Sequence, residues 1–102
     1  MDIPELGSDE TEKLKAIFSG EPSIAEVILY GSRAKGTYRP GSDIDLTLKG
    51  EGLTTSFLMS LSVKIDDLLL PYEVDLSIYE HIENRDLIDH INRVGKVVYS
   101  NE

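Results

Sequence analysis

The stretch LYGSRAKGTYRPGSDIDLTL, residues 29–48, reads as the end of one strand, a glycine–serine turn, a basic loop and a second strand. Its last part alternates cleanly: Ile44, Leu46 and Leu48 share one face, while Asp43, Asp45, Thr47 and Lys49 share the other. Aspartates two positions apart on a strand lie about 7 Å apart along the chain. At that spacing each carboxylate raises the cost of ionising the other, and a divalent cation removes the penalty by using both. One short alternation therefore predicts a strand with one apolar face and, on the other, a pair of carboxylates suited to a divalent cation.

Working outward, IAEVILYG at 24–31 is an apolar run ending at glycine and predicts the first strand. GSRAKG at 31–36 predicts a tight turn and a short helix, and Pro40-Gly41 marks a further turn. YEVDLSIY at 72–79 alternates again, with Val74, Leu76 and Ile78 on one side and Glu73, Asp75, Ser77 and Tyr79 on the other. Three helices surround these strands. Residues 1–8 form a lead-in broken by Pro4 and Gly7. Asp9 and Glu12 then have the spacing of a capping box ahead of Leu14, Ile17 and Phe18. Residues 53–70 carry a stripe of Phe57, Leu61, Ile65, Leu68 and Leu69, stopped by Pro71. The last helix covers 82–95 through Ile82, Leu87, Ile88, Ile91 and Val94, with Gly95 as its cap and KVVYS as a short apolar tail. The expected fold is a small α/β domain of three strands and three longer helices. Helices cover one sheet face and leave the other partly open for the aspartates.

The chain has 102 residues, which fits one domain, 1–102. Nineteen acidic residues against ten basic ones give a net charge of -9, which disfavours broad binding to a nucleic-acid backbone. It leaves open the binding of one nucleotide through metal ions. Arg33, Lys35, Arg39 and Lys49 make a local positive patch beside the aspartates. With no cysteine, disulfides and thiolate chemistry drop out. No stretch has the length of a membrane span, and no basic segment followed by an apolar one opens the chain, so a cytoplasmic location is expected.

Asp75 is the third carboxylate candidate, converging with Asp43 and Asp45 if its strand lies beside theirs. Two magnesium ions held by such a set suit phosphoryl or nucleotidyl transfer. One would activate the attacking hydroxyl, with Asp75 on that side; the other would hold the triphosphate. Gly31 and Ser32 supply the complementary half, a close backbone approach with a hydroxyl and amides for phosphate oxygens. Arg33 or Lys35 adds charge, and the sequence leaves open which of them points inward. The pattern is not a Walker loop, which ends in lysine followed by serine or threonine. GS or DID alone is commonplace on surface strands; the order strand, turn, strand with a third alternating aspartate is what favours a metal site. Asp66-Asp67 lies on a helix and reads as solvated. Tyr30, Tyr38, Tyr72, Tyr79 and Tyr99 read as packing or rim residues. His81 and His90 lack ligand spacing and read as helix-surface or cap residues, and no Ser-His-Asp arrangement is legible.

These residues resemble the minimal nucleotidyltransferase (MNT) family of the polymerase β-like superfamily. Its signature is glycine-serine, ten residues, then aspartate-any-aspartate, and here Gly31-Ser32 is followed by residues 33–42 and Asp43-Ile44-Asp45. Asp75, in YEVDLSI, matches the third carboxylate, and the resemblance runs from about residue 10 to 98. It implies a short mixed β-sheet backed by helices, magnesium dependence and use of a nucleoside triphosphate. It further implies an adjacently encoded HEPN-domain partner, commonly a ribonuclease toxin, neutralised in some cases by AMP transfer from ATP to a tyrosine. The first expectation is thus a protein adenylyltransferase acting as antitoxin. A binding module that neutralises the partner by contact is the second, and a small-molecule nucleotidyltransferase the third. Whether the chain forms homo- or hetero-oligomers is open at this stage.

Overall fold

A computed structural model of the chain describes residues 3–4, 6–37, 39 and 41–101. In chain order the elements are α1 (Ser8–Ser19), β1 (Glu26–Tyr30), α2 (Ser32–Lys35), β2 (Ile44–Lys49), α3 (Thr55–Asp66), β3 (Val74–Ile78), a 3-10 turn at Tyr79–His81, α4 (Arg85–Val94) and β4 (Lys96–Ser100). The strands form one sheet in the order β3-β2-β1-β4. β2 runs antiparallel to β1 and parallel to β3, and β1 runs antiparallel to β4. The sheet is mixed for a local reason. The β1–β2 connection is short enough to reverse direction, whereas α3 carries the chain back across the sheet so that β3 starts at the same end as β2.

Alternation sorts the strands as the sequence predicts. Val27, Leu29, Ile44, Leu46, Leu48 and Ile78 join Leu14 and Phe18 of α1 and Leu61 and Ile65 of α3 in the main core. The intervening residues point to the opposite face. There the structure departs from expectation, because α4 packs on that face rather than with the other helices. Ile91 forms a second, smaller core with Ile28 and Tyr30, joined by Tyr79, Ile82 and Leu87.

Element ends also differ, each for a legible reason. α1 starts at Ser8 with Gly7 as its N-cap and no side-chain cap, so Asp9 lies in the first turn and the expected capping box does not form. Asp9 and Glu10 instead place negative charge by the positive end of the helix dipole. Thr54 caps α3, its hydroxyl accepting from Phe57 N at 3.1 Å. That helix stops at Asp66, short of the expected residue 70, because Leu69 takes a left-handed φ of 54° that no helix continues through. Asn84 caps α4 by accepting from the amides of Asp86 and Leu87, which sets its start three residues later than expected. Gly95 caps its other end as expected. KVVYS is a fourth strand rather than a tail, and a register shift between Val27 and Ile28 breaks its alternation. The turn expected at Pro40-Gly41 and the rim role of Tyr38 fall wholly or partly outside the described residues. Among those residues no helix is long and apolar enough to cross a membrane.

Candidate active site

The register places the acidic residues in one row. Asp45 pairs with Asp75 across the parallel ladder and with Tyr30 across the antiparallel one. Paired residues on adjacent strands share a face, with their backbones about 4.8 Å apart. Asp43 precedes β2 by one residue and is exposed. Burial, then the Asp75 and Asp43 charges, push the Asp45 carboxyl above the usual carboxylate range. Asp45 therefore feels both of the other carboxylates predicted from alternation. Tyr30 lies in the same row, and burial, with the charges of Asp45 and Asp75 adding to it, raises its phenol as well.

Gly31 follows β1 with φ 79° and ψ -156°, a backbone conformation that favours glycine. A second constraint acts on the same residue: a Cβ there would come 2.5 Å from Asp45 Oδ2. The turn and the carboxylate are thus packed against each other, and only glycine permits it. Ser32, half-buried, opens α2 directly beyond.

Arg33 and Lys35 are placed differently. Arg33 is only 1% exposed. Its guanidinium donates to Pro4 O at 2.6 Å, Ser42 O at 2.7 Å and Asp43 O at 3.4 Å, and lies 4.5 Å from the Tyr72 ring centroid. A planar fork of donors suits this convergence of carbonyls, where a lysine would satisfy fewer. Arg33 therefore ties the loop before Asp43 to α2. Lys35 is exposed on the same short helix.

His90 is the site residue that sequence reasoning missed. Its Nε2 accepts a hydrogen bond from Gly31 N at 3.0 Å, and its ring stands edge-on to Tyr30 with centroids 6.3 Å apart. A signal was available, since Leu87, His90, Ile91 and Val94 occupy one helical stripe and place the histidine on the inward side. His81, by contrast, is exposed in the 3-10 turn. Asp66 and Asp67 are exposed, as expected. A cavity of about 260 Å³ opens at the α3–β3 connection, and its lining, which includes Leu69, Leu70 and Tyr72, contains none of the three aspartates.

Among the described residues no group of three or more acidic or histidine side chains is arranged to hold a metal ion unaided. The donor set fits magnesium in a different way. That ion is commonly bound through one or two carboxylates, with substrate phosphates and water completing its shell. Mutually repelling Asp45 and Asp75 beside a glycine turn provide such a partial shell.

Residues 12–102 match the family described as Polymerase beta, Nucleotidyltransferase. This chain belongs to that family. The nucleotidyltransferase domain thus spans all the elements from within α1 onward. No curated protein matches the sequence significantly. Among solved structures, a chain of a toxin-antitoxin with AMP-PNP superposes with a TM-score of 0.70 at 24% identity, covering 93% of this chain and 74% of that one. A chain of the tri-AMPylated Shewanella oneidensis HEPN toxin in complex with MNT antitoxin gives 0.66 at 19% identity, covering 89% and 70%. A chain of the MntA-HepT toxin-antitoxin gives 0.67 at 19% identity, covering 92% and 73%. These likenesses establish the minimal nucleotidyltransferase fold.

Proposed function

We propose that this nucleotidyltransferase domain is an active, magnesium-dependent adenylyltransferase that moves AMP from ATP to a tyrosine hydroxyl of a HEPN-domain partner, and so acts as an antitoxin. The observation that carries the reading is the row of Asp45 and Asp75 beside the Gly31-Ser32 turn. Carboxylates and a phosphate-accommodating turn are what in-line attack on an α-phosphate requires. The structural likeness to toxin-antitoxin complexes, one containing AMP-PNP and one an AMPylated HEPN toxin, supports the choice of an adenine nucleotide and of a HEPN partner.

In this reading Asp43, Asp45 and Asp75 hold two magnesium ions, and Gly31 and Ser32 hold the triphosphate tail. When bound, magnesium offsets the charge of the carboxylates and phosphates and lowers the pKa of the attacking hydroxyl. The acceptor oxygen forms a bond to the α-phosphorus as the bond to pyrophosphate breaks. Asp75, the carboxylate on the attacking side, takes the hydroxyl proton. Lys35, exposed on α2, adds positive charge near the departing pyrophosphate. Arg33 acts earlier, by holding the loop that presents Asp43. An acidic protein of net charge -9 also complements a basic RNA-cleaving partner, which favours rapid encounter.

Intact mass of the adjacently encoded partner, after incubation with this protein, magnesium and ATP, tests the proposal. The expected outcome is a gain of one or more AMP units with the wild type and none with the Asp43→Asn, Asp45→Asn double variant. A stable complex that neutralises the partner without any gain in mass would replace transfer with inhibition by contact.

A further inference from the structure

α4 is the element that the carboxylate motif does not explain. It alone among the longer helices packs on the aspartate face, and it sends one polar side chain toward the phosphate-side turn. We infer that His90 is a positioning residue for nucleotide binding: its Nε2 fixes the Gly31 amide and thereby holds the turn in the shape that receives the triphosphate. This rests on the nucleotidyl-transfer reading of the site and adds to it a component from outside the glycine-serine and aspartate motif.

Gly31 sets the requirement. Its backbone conformation leaves the amide hydrogen outside the sheet ladder, whose β1–β2 pairing ends at Tyr30 and Asp45. A half-buried amide without a partner is costly. His90 supplies that partner at 3.0 Å across 59 residues of sequence. Because the amide is the donor, Nε2 presents its lone pair to it, so this nitrogen is engaged and is not a spare metal ligand. The ring stands in turn edge-on to Tyr30, at 78°. Tyr30 and Asp45 are cross-strand neighbours, and Asp45 Oδ2 packs against Gly31. His90 therefore closes a ring of contacts through Tyr30, Asp45 and Gly31.

Without that hydrogen bond Gly31, the most permissive residue type, would sample several conformations. Each excursion would displace Ser32 and press on Asp45. The ordering would then fall to the nucleotide, and binding would weaken by the population of the competent turn. The effect belongs mainly to ATP affinity and KM, with kcat changed less, because the reacting groups themselves are intact.

The test compares two variants by calorimetric titration with magnesium-ATP. His90→Phe keeps a ring against Tyr30 but accepts no hydrogen bond, whereas His90→Gln places an amide oxygen near the position of Nε2. The expected result is binding about tenfold weaker for His90→Phe and within about twofold of wild type for His90→Gln. Equal or tighter binding by His90→Phe overturns the inference, as does equal loss in both variants. Should His90→Phe not fold, hydrogen exchange of the Gly31 amide in the wild type decides: slow exchange supports the role, and exchange at the rate of an open loop overturns it. If wild-type protein binds no magnesium-ATP while the Gly31 amide is protected, the nucleotidyl-transfer reading fails instead.

Discussion

On the face of the sheet covered by α1 and α3, Ile44, Leu46 and Leu48 are fully buried among apolar neighbours. On the opposite face, Asp45 and Thr47 of the same strand lie opposite Asp75 and Ser77, and the buried Thr47 hydroxyl finds no hydrogen-bond partner among the described residues. One strand thus serves two ends through its period of two. The first face supplies burial energy, and the second spends some of that stability on like charges held together. Mutation on the first face should cost stability, and mutation of the aspartates on the second should cost chemistry.

Arg33 gives the largest expected loss of stability, because its polar contacts join α2 and Pro4 to the loop before Asp43. Arg33→Ala strands the carbonyls of Pro4 and Ser42, which accept its shortest hydrogen bonds. A loss of about 3 kcal/mol or more is expected in denaturant unfolding, a large share of a small domain's stability. Arg33→Lys should recover only part of it. Next comes Leu46→Ala on the apolar face, expected to cost about 3 kcal/mol by leaving a cavity between α3 and the sheet. A loss below about 1 kcal/mol would mean that the apolar face is not the source of stability. The smallest effect belongs to Thr47→Val. Replacing an unpartnered buried hydroxyl with a methyl should leave stability unchanged or raise it by up to about 1 kcal/mol. A clear loss would show that the hydroxyl has a partner, and the contrast between the faces would blur.

Much of this division was legible in the sequence because strand periodicity is local. Asp43, Asp45 and Asp75 fell on the polar side by counting alternate residues, and Gly31 could be placed at a strand end. Other features depend on contacts between distant parts of the chain. β4 escaped notice because its register shifts against Val27 and Ile28, so that Val98 and Tyr99, adjacent in sequence, both join the main core and the strand does not alternate. The inward turn of Arg33 requires Pro4, Ser42 and Tyr72 to converge, which no spacing reveals. His90 was partly readable from the stripe of α4, but its partner, a backbone amide 59 residues away, was not. The left-handed Leu69 likewise shortens α3 without a glycine to announce it.

The carboxylate row offers the most direct test, through Asp45→Asn measured for both stability and transfer. Folding raises the Asp45 carboxyl above its usual range, chiefly by burial and then by Asp75 and Asp43. The folded protein therefore holds that proton more tightly than the unfolded chain does. Its stability falls as pH rises from the ordinary carboxylate value through the raised one. Asparagine removes that penalty. At neutral pH without magnesium, Asp45→Asn should melt above the wild type while losing transfer by about three orders of magnitude, and its advantage should vanish in acid. A variant that melts lower than wild type at neutral pH, or one that still transfers AMP, would contradict the assignment of this face to chemistry.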